Sequence, residues 1–414
     1  MRGLRISLLV MAAVVAVTYV TLAQGAASPA TVYQGARLIN GTGGAAIENA
    51  IFVVEGGRFT QVGRSDAVKI PAGATRVDLT GKTVMPAIID AHVHLRTTRE
   101  ELIEDLRQRA YYGVGGAMSL GQDPGDLPFK VRAETIPGAA RFFTAGRGIT
   151  MPEPGRNTVP YWVSTPEEGR KAVQELAAQK VDLVKIWVDD RNGKYPKLGP
   201  ALYGPIIDEA HRRGLRVTAH IFYLDDAKGL LKAGIDAFAH GVRDKDVDDE
   251  LMAMLKQRPN VVVVPNLADR GVKTDMSWLS GSLPAGELQK LQAGATDRPE
   301  AQQTFAVQGR NLARMAKAGV RIAMGTDGNT PWGPHVEMED MVAAGMTPAQ
   351  VIVASTRHAA DLVGLKDAGT IETGKSADFI VLDANPLENI TNTRRIAAVW
   401  LRGASVDRSA LPVK

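Results

Sequence analysis

The sequence predicts an α/β chain: a (β/α)8 TIM barrel joined to a small β-sandwich that both chain ends build. Three observations lead there. The middle of the chain alternates short apolar runs with helix-like patterns eight times. The flanks carry short runs of alternating polarity instead, separated by glycine pairs. At 414 residues the chain exceeds one average domain and suits a large barrel with a smaller module.

The eight predicted barrel strands are Val84–Leu95, Val114–Leu120, Arg141–Thr144, Val181–Val188, Leu215–Phe222, Ile235–Val242, Val261–Leu267 and Val320–Asp327. The clearest helical patterns between them are Glu100–Tyr111, Pro166–Gln179, Pro200–Arg213 and Asp225–Ala233. Several helices end at a glycine before the next strand, as at Gly214, Gly234 and Gly319, where glycine suits a left-handed cap. The flanks, residues 28–83 and 370–414, read as one β-sandwich, with two independent caps on the barrel as the alternative. The barrel then occupies residues 84–369. Two connections, Gly146–Thr165 and Ala268–Gln303, are too long to be tight loops, and both follow strand ends on the face where barrel sites lie.

Residues 1–27 have the pattern of a secretory signal peptide. Arg2 and Arg5 precede an uncharged, mostly apolar stretch from Ile6 to Leu22, and the small residues of Ala23–Ala27 follow. The expected location is therefore periplasmic or secreted, with no membrane association once the signal is removed; an uncleaved anchor is the alternative. Without Arg2 and Arg5 the 49 basic residues fall to 47, against 45 acidic ones. That balance and the 5% aromatic content argue against a nucleic-acid partner. A small-molecule substrate is expected, and a homo-oligomer is compatible with the sequence. Cysteine is absent, which excludes disulfides, thiolate ligands and a cysteine nucleophile.

Residues able to bind metal recur at the predicted strand ends. His92 and His94 stand two apart on a strand, so both imidazoles face one side. His220 and His240 end the next-neighbour strands Leu215–Phe222 and Ile235–Val242. Asp327 closes the eighth strand, where a carboxylate can ligate a cation and accept a proton from water; a helix cap or turn role is the alternative. Clustered ligands of this kind point to a metal centre. Lys185 sits inside the apolar run Leu183–Val188. Burial of an ammonium there is costly and favours the neutral amine. Such an amine can take up carbon dioxide as a carbamate, a carboxylate-like bridge between two cations about 3.5–4 Å apart. An unmodified lysine contacting a carboxylate or the substrate is the alternative.

Taken together these residues resemble the amidohydrolase superfamily. Val84–His94 is similar to its first-strand signature, Gly325-Thr326-Asp327 to its eighth, and Gly374–Phe379 to its C-terminal return to the β-sandwich. The lysine on the fourth strand resembles the prolidase-like and imidazolonepropionase-related branch, with its binuclear, carboxylated-lysine site. The resemblance implies two divalent metal ions, zinc by preference, with Lys185 carbamylated by CO2. One metal takes His92, His94, Lys185 and Asp327, and the other Lys185, His220 and His240. A bridging hydroxide attacks the substrate, and Asp327 is the catalytic proton carrier. The chain departs from the family pattern at Ala87, at Ile221-Phe222-Tyr223 and at Val188-Asp189-Asp190-Arg191.

The expected activity is metal-dependent hydrolysis of an amide or peptide-like C–N bond, in a dipeptide or N-acyl amino acid. Hydrolysis of a cyclic amide, lactone, carbamate or urea is the second enzymatic reading, and a noncatalytic solute-binding barrel the reading of another class. Tyr223, His335, Arg147 and Trp162 are the expected substrate-binding residues, with Arg191 and Arg243 as further partners for a substrate carboxylate. Met151, Tyr161, Trp162 and Trp278 are expected to form an apolar wall. His211 reads as a solvated helix residue and His358 as structural.

Overall fold

The structure is a computed structural model that describes residues 30–410 together with Pro412 and Val413. The segment read as a signal peptide lies outside the described residues. Among the described residues no helix is long and apolar enough to cross a membrane.

Period-two alternation in the flanks produces one eight-stranded sheet. The N-terminal flank supplies Thr31–Leu38, Ile47–Glu55, Arg58–Arg64, Thr75–Asp78 and Thr83–Pro86, and the C-terminal flank adds Phe379–Leu382, Ile396–Leu401 and Ala404–Ser405. The two ends meet where Phe379–Leu382 pairs antiparallel with Thr83–Pro86. Aromatic packing seals that seam. Tyr33 stacks on Phe52 and Phe379 on Trp400, each at 4.9 Å, while Tyr33 meets Phe379 edge-on at 5.2 Å.

The central region is mixed α/β with two parallel sheets. One has the order Tyr161–Trp162, Ile149–Thr150, Val184–Val188, Val217–Ile221, Ala237–Ala239, Val262–Val264, Arg321–Ile322. The other has the order Ile88–Val93, Val114–Ser119, Arg141–Thr144. Backbone hydrogen bonds tie the smaller sheet to the larger at both edges, Ala91 N to Met324 O at one and Asp182 N to Thr144 O at the other, each 3.0 Å.

Helices cover the sheets where the apolar period predicts them, for example Arg99–Tyr111 and Pro166–Ala178. Thr165 and Glu168 close the latter with a reciprocal capping box. The predicted run Val84–Leu95 divides in two. Pro86 has no N–H for a ladder, and Ala87 N donates to Asp378 O, so Thr83–Pro86 joins the flank sheet and Ile88–Val93 the central one. The long connection after Leu267 carries a helix of its own, Ala285–Gly294.

Candidate metal centre

Parallel register brings the expected metal ligands to one end of the central sheets. His92 lies in Ile88–Val93, Lys185 in Val184–Val188 and His220 in Val217–Ile221, while His240 directly follows Ala237–Ala239. Trp187 pairs with His220, and His220 with Ala239. Asp327 is the hub. Its Oδ1 lies 3.0 Å from Nε2 of both His92 and His94, and its Oδ2 lies 3.5 Å from Nε2 of His240. His92, His240 and Asp327 present ligand atoms all within 4.8 Å of one another. Lys185 Nζ stands 3.4 Å from His92 Nε2, and His220 meets His240 edge-on with ring centroids 4.4 Å apart.

The electrostatics of these groups fit a cation. Burial, helped by the neighbouring Lys185, lowers His92 to a pKa of about 4. Burial also pushes His220 and His240 well below the ordinary histidine value. The neutral imidazole that results is the ligating form. Both ring nitrogens of His240 and Nδ1 of His94 are buried without a hydrogen-bond partner. Such orphaned polar atoms are costly unless something binds them. Burial lowers Lys185 to about 7 against the pull of Asp327, so a large share of the amine is neutral near neutrality. Burial opposes ionisation of Asp327, but the facing His92 and His94 outweigh it and hold the carboxyl well below its usual range.

A surrounding layer fixes these groups. Asn266 Oδ1 accepts from His92 Nδ1 at 2.8 Å, which leaves the Nε2 lone pair directed at the cluster. Asp189 Oδ2 lies 2.8 Å from His220 Nε2, so Nδ1 is the ring nitrogen left for a cation. Arg191 and Arg243 approach the same His220 Nε2 at 3.2 and 3.1 Å, and Arg191 also pairs with Asp189 at 2.7 Å and Glu153 at 3.2 Å. Beneath Asp327, the fully buried Arg109 donates to Gly328 O and Asn329 O, while Asp90 accepts from the Thr326 backbone N and hydroxyl. The Trp187 ring, 5.4 Å from Lys185 Nζ, fills space that only glycine leaves open: a Cβ on Gly148 would come within 1.9 Å of it. Arg191, His240, Asn266 and Asp327 all adopt left-handed φ, between 44° and 89°. Strain concentrated in this way is characteristic of functional sites.

Sequence reasoning missed Asn266, Asp90, Arg109 and the tethering role of Asp189. Asn266 alone had a usable signal, because it ends a predicted strand as the ligands do.

The expected substrate-binding residues are dispersed. His335 is buried in the fold, bonded to Thr393 Oγ1 at 3.0 Å and Tyr112 O at 2.9 Å, so it does not line the centre. It follows the eighth predicted strand but lies within the helix Gly333–Ala343, which turns it inward. Arg147 is taken up by its own loop, with Nε donating to Val159 O and the guanidinium 3.9 Å from the Tyr161 ring. Trp162 is 37% exposed, its Nε1 donating to Asn157 O. Tyr223 donates its hydroxyl to Asp190 Oδ1 at 2.9 Å, which raises its pKa to about 12. The expected apolar wall does not assemble. Met151 and Tyr161 pack on the central hydrophobic core, and Trp278 packs with Tyr112 and Leu279 beneath Arg394. His211 bonds Asp236 on a helix surface, and His358 bonds Ile322 O.

Comparison with known proteins agrees with this geometry. The model of the amidohydrolase family matches residues 83–406. The ochratoxinase of Aspergillus niger is 29% identical over 313 residues, 70% of this chain and 59% of that one, so the match spans less than two thirds of that relative's length. The imidazolonepropionase of Shouchella clausii is 26% identical over 379 residues, covering 82% of this chain and 80% of the relative. The solved structure of a Xaa-Pro dipeptidase is similar in fold with a TM-score of 0.73 at 22% identity, covering 91% of this chain and 99% of that one. The chain belongs to the amidohydrolase family.

Proposed function

We propose that this chain is an exported amidohydrolase that cleaves the amide bond of a dipeptide or N-acyl amino acid. The observation that carries the reading is the convergence of His92, His94 and His240 on the Asp327 carboxylate. In this reading the two parallel sheets form one closed barrel, its substrate face at the strand ends that carry those residues. His92, His94, Lys185, His220, His240 and Asp327 hold two divalent cations, zinc by the chemistry of the donor set, with Lys185 carbamylated. Such cations, when bound, lower the pKa of water and polarise a carbonyl.

The chain's own groups do the rest. Asp327, kept ionised and facing the cluster, accepts a proton from the attacking water. It then delivers that proton to the amide nitrogen as the C–N bond breaks, giving an acid and an amine. Asn266 and Asp189 hold His92 and His220 in the ring tautomers that ligation requires. Arg191 and Arg243 both reach His220, and Arg191 Nη2 and Arg243 Nε are buried without partners. They are the groups that would receive a substrate carboxylate. The likeness to imidazolonepropionase supports a second reading, hydrolysis of a cyclic amide, lactone, carbamate or urea at the same centre.

The test assays the metal-loaded protein on N-acyl amino acids and on their methyl esters. Loss of a charge-assisted hydrogen bond should lower kcat/KM by roughly 10- to 150-fold for the ester. Equal cleavage of acid and ester removes the carboxylate requirement and favours the second reading.

A further inference from the structure

A cavity of about 600 Å³ lies between the 268–298 segment and the turn that carries Asp327. Thr326 and Gly328, the chain neighbours of Asp327, form part of its wall, so cavity and centre share the peptide that presents the carboxylate. The volume falls within the range of small-molecule sites. Val272, Met276, Leu291 and Trp332 provide apolar surface. Each basic side chain of the lining pairs with a carboxylate of the same lining: Arg270 with Asp340 at 2.6 Å, Lys290 with Glu287 at 2.8 Å, and Arg298 with Asp269. These basic groups therefore have carboxylate partners already. Glu337, buried at the cavity floor, accepts from Leu267 N at 3.0 Å.

The side of the centre around His220 is different, because there two guanidinium groups keep buried N–H donors unpaired. A ligand that spans the centre thus meets cationic donors beside His220 and, beside Asp327, a partly apolar cavity whose basic side chains are already paired. We propose that the cavity between the 268–298 segment and the Asp327 turn binds the bulky, uncharged half of the substrate, the acyl portion of an N-acyl amino acid. The proposal rests on the amide reading above and adds the location and chemistry of the acyl pocket.

The test uses the full metal-loaded protein with two cavity-filling variants, Val272→Trp and Ala295→Phe. Val272 is 37% exposed, so a larger side chain there leaves the core undisturbed. The first measurement is calorimetric titration with 2-naphthamide, an uncharged aromatic amide. The wild type should bind it, and the variants should bind it about 10-fold more weakly, as expected when a pocket loses room for part of its ligand. The second measurement is the ratio of kcat/KM for N-(2-naphthoyl) over N-acetyl amino acids, which should fall by about 10-fold or more in the same variants. Absence of naphthamide binding to the wild type, or unchanged affinity in both variants, overturns the pocket. Weakened naphthamide binding with no turnover of either acyl series upholds the pocket and overturns the amide reading.

Discussion

The six expected ligands fall into two halves that are held in different ways. His92, His94, His240 and Asp327 touch one another directly, and Asp327 lies within 3.5 Å of all three imidazoles. Sheet register and the turn gripped by Arg109 and Asp90 place them. His220 and Lys185 form the other half, with no such carboxylate at the hub. His220 is oriented from outside by Asp189, and Asp189 is held by Arg191, which reaches on to Glu153 in the 146–165 connection. Lys185 is surrounded by the Trp187 ring, His92 and buried apolar strand. The first half is thus preorganised by regular structure, while the second depends on loop side chains and on the chemical state of one lysine.

The largest expected effect comes from breaking the second half at Lys185. Protein purified without chelator should approach two equivalents of divalent metal, and Lys185→Ala should lose metal together with activity, partly restored by short carboxylic acids. Elemental analysis and assay read both quantities, and saturation of the wild type at one equivalent would remove the bridging lysine. Asp327→Asn attacks the first half. It should keep much of the metal while kcat falls by a factor on the order of 10²–10⁴, the usual scale of general acid–base catalysis. Loss of metal without a separate defect in kcat would make Asp327 chiefly a ligand.

Asp189→Asn sharpens the comparison, since it weakens only the outer tether of His220. Competition with a chelator should show metal affinity reduced roughly 10- to 100-fold, the common cost of losing a group that orients a ligand. An unchanged affinity would mean that strand geometry alone suffices for both halves.

A separate effect, on stability and not on the metal, concerns a histidine outside both halves. Burial lowers His335 to about 4 in the folded chain, against about 6.5 for an ordinary histidine. Between those values the unfolded state binds the extra proton, so stability rises with pH and falls as pH drops from 6.5 towards 4. The contribution is roughly 3 kcal/mol. Urea titrations at pH 7 and pH 4.5 should show a smaller loss for His335→Gln than for the wild type. An equal loss would place the acid sensitivity elsewhere, in His92, His220 or His240.

By itself the sequence determined the alternation of strand and helix and the strand-end positions of the six expected metal ligands. Period-two and 3.6-residue patterning are local, and a strand end marks a functional residue without knowledge of its neighbours. The division of the Val84–Leu95 run at Ala87 was not legible, because it depends on pairing with Phe379–Leu382, nearly 300 residues away. Only the tertiary structure decided which Asn holds His92, which Asp holds His220, and that Arg109 grips the Asp327 turn, for those pairs are 174, 31 and 219 residues apart. It also decided against His335 and Arg147, whose sequence positions match those of site residues but whose polar atoms are committed to the fold. A side chain's chemistry is written in the sequence, whereas the partner that uses up its hydrogen bonds is chosen by packing over the whole chain.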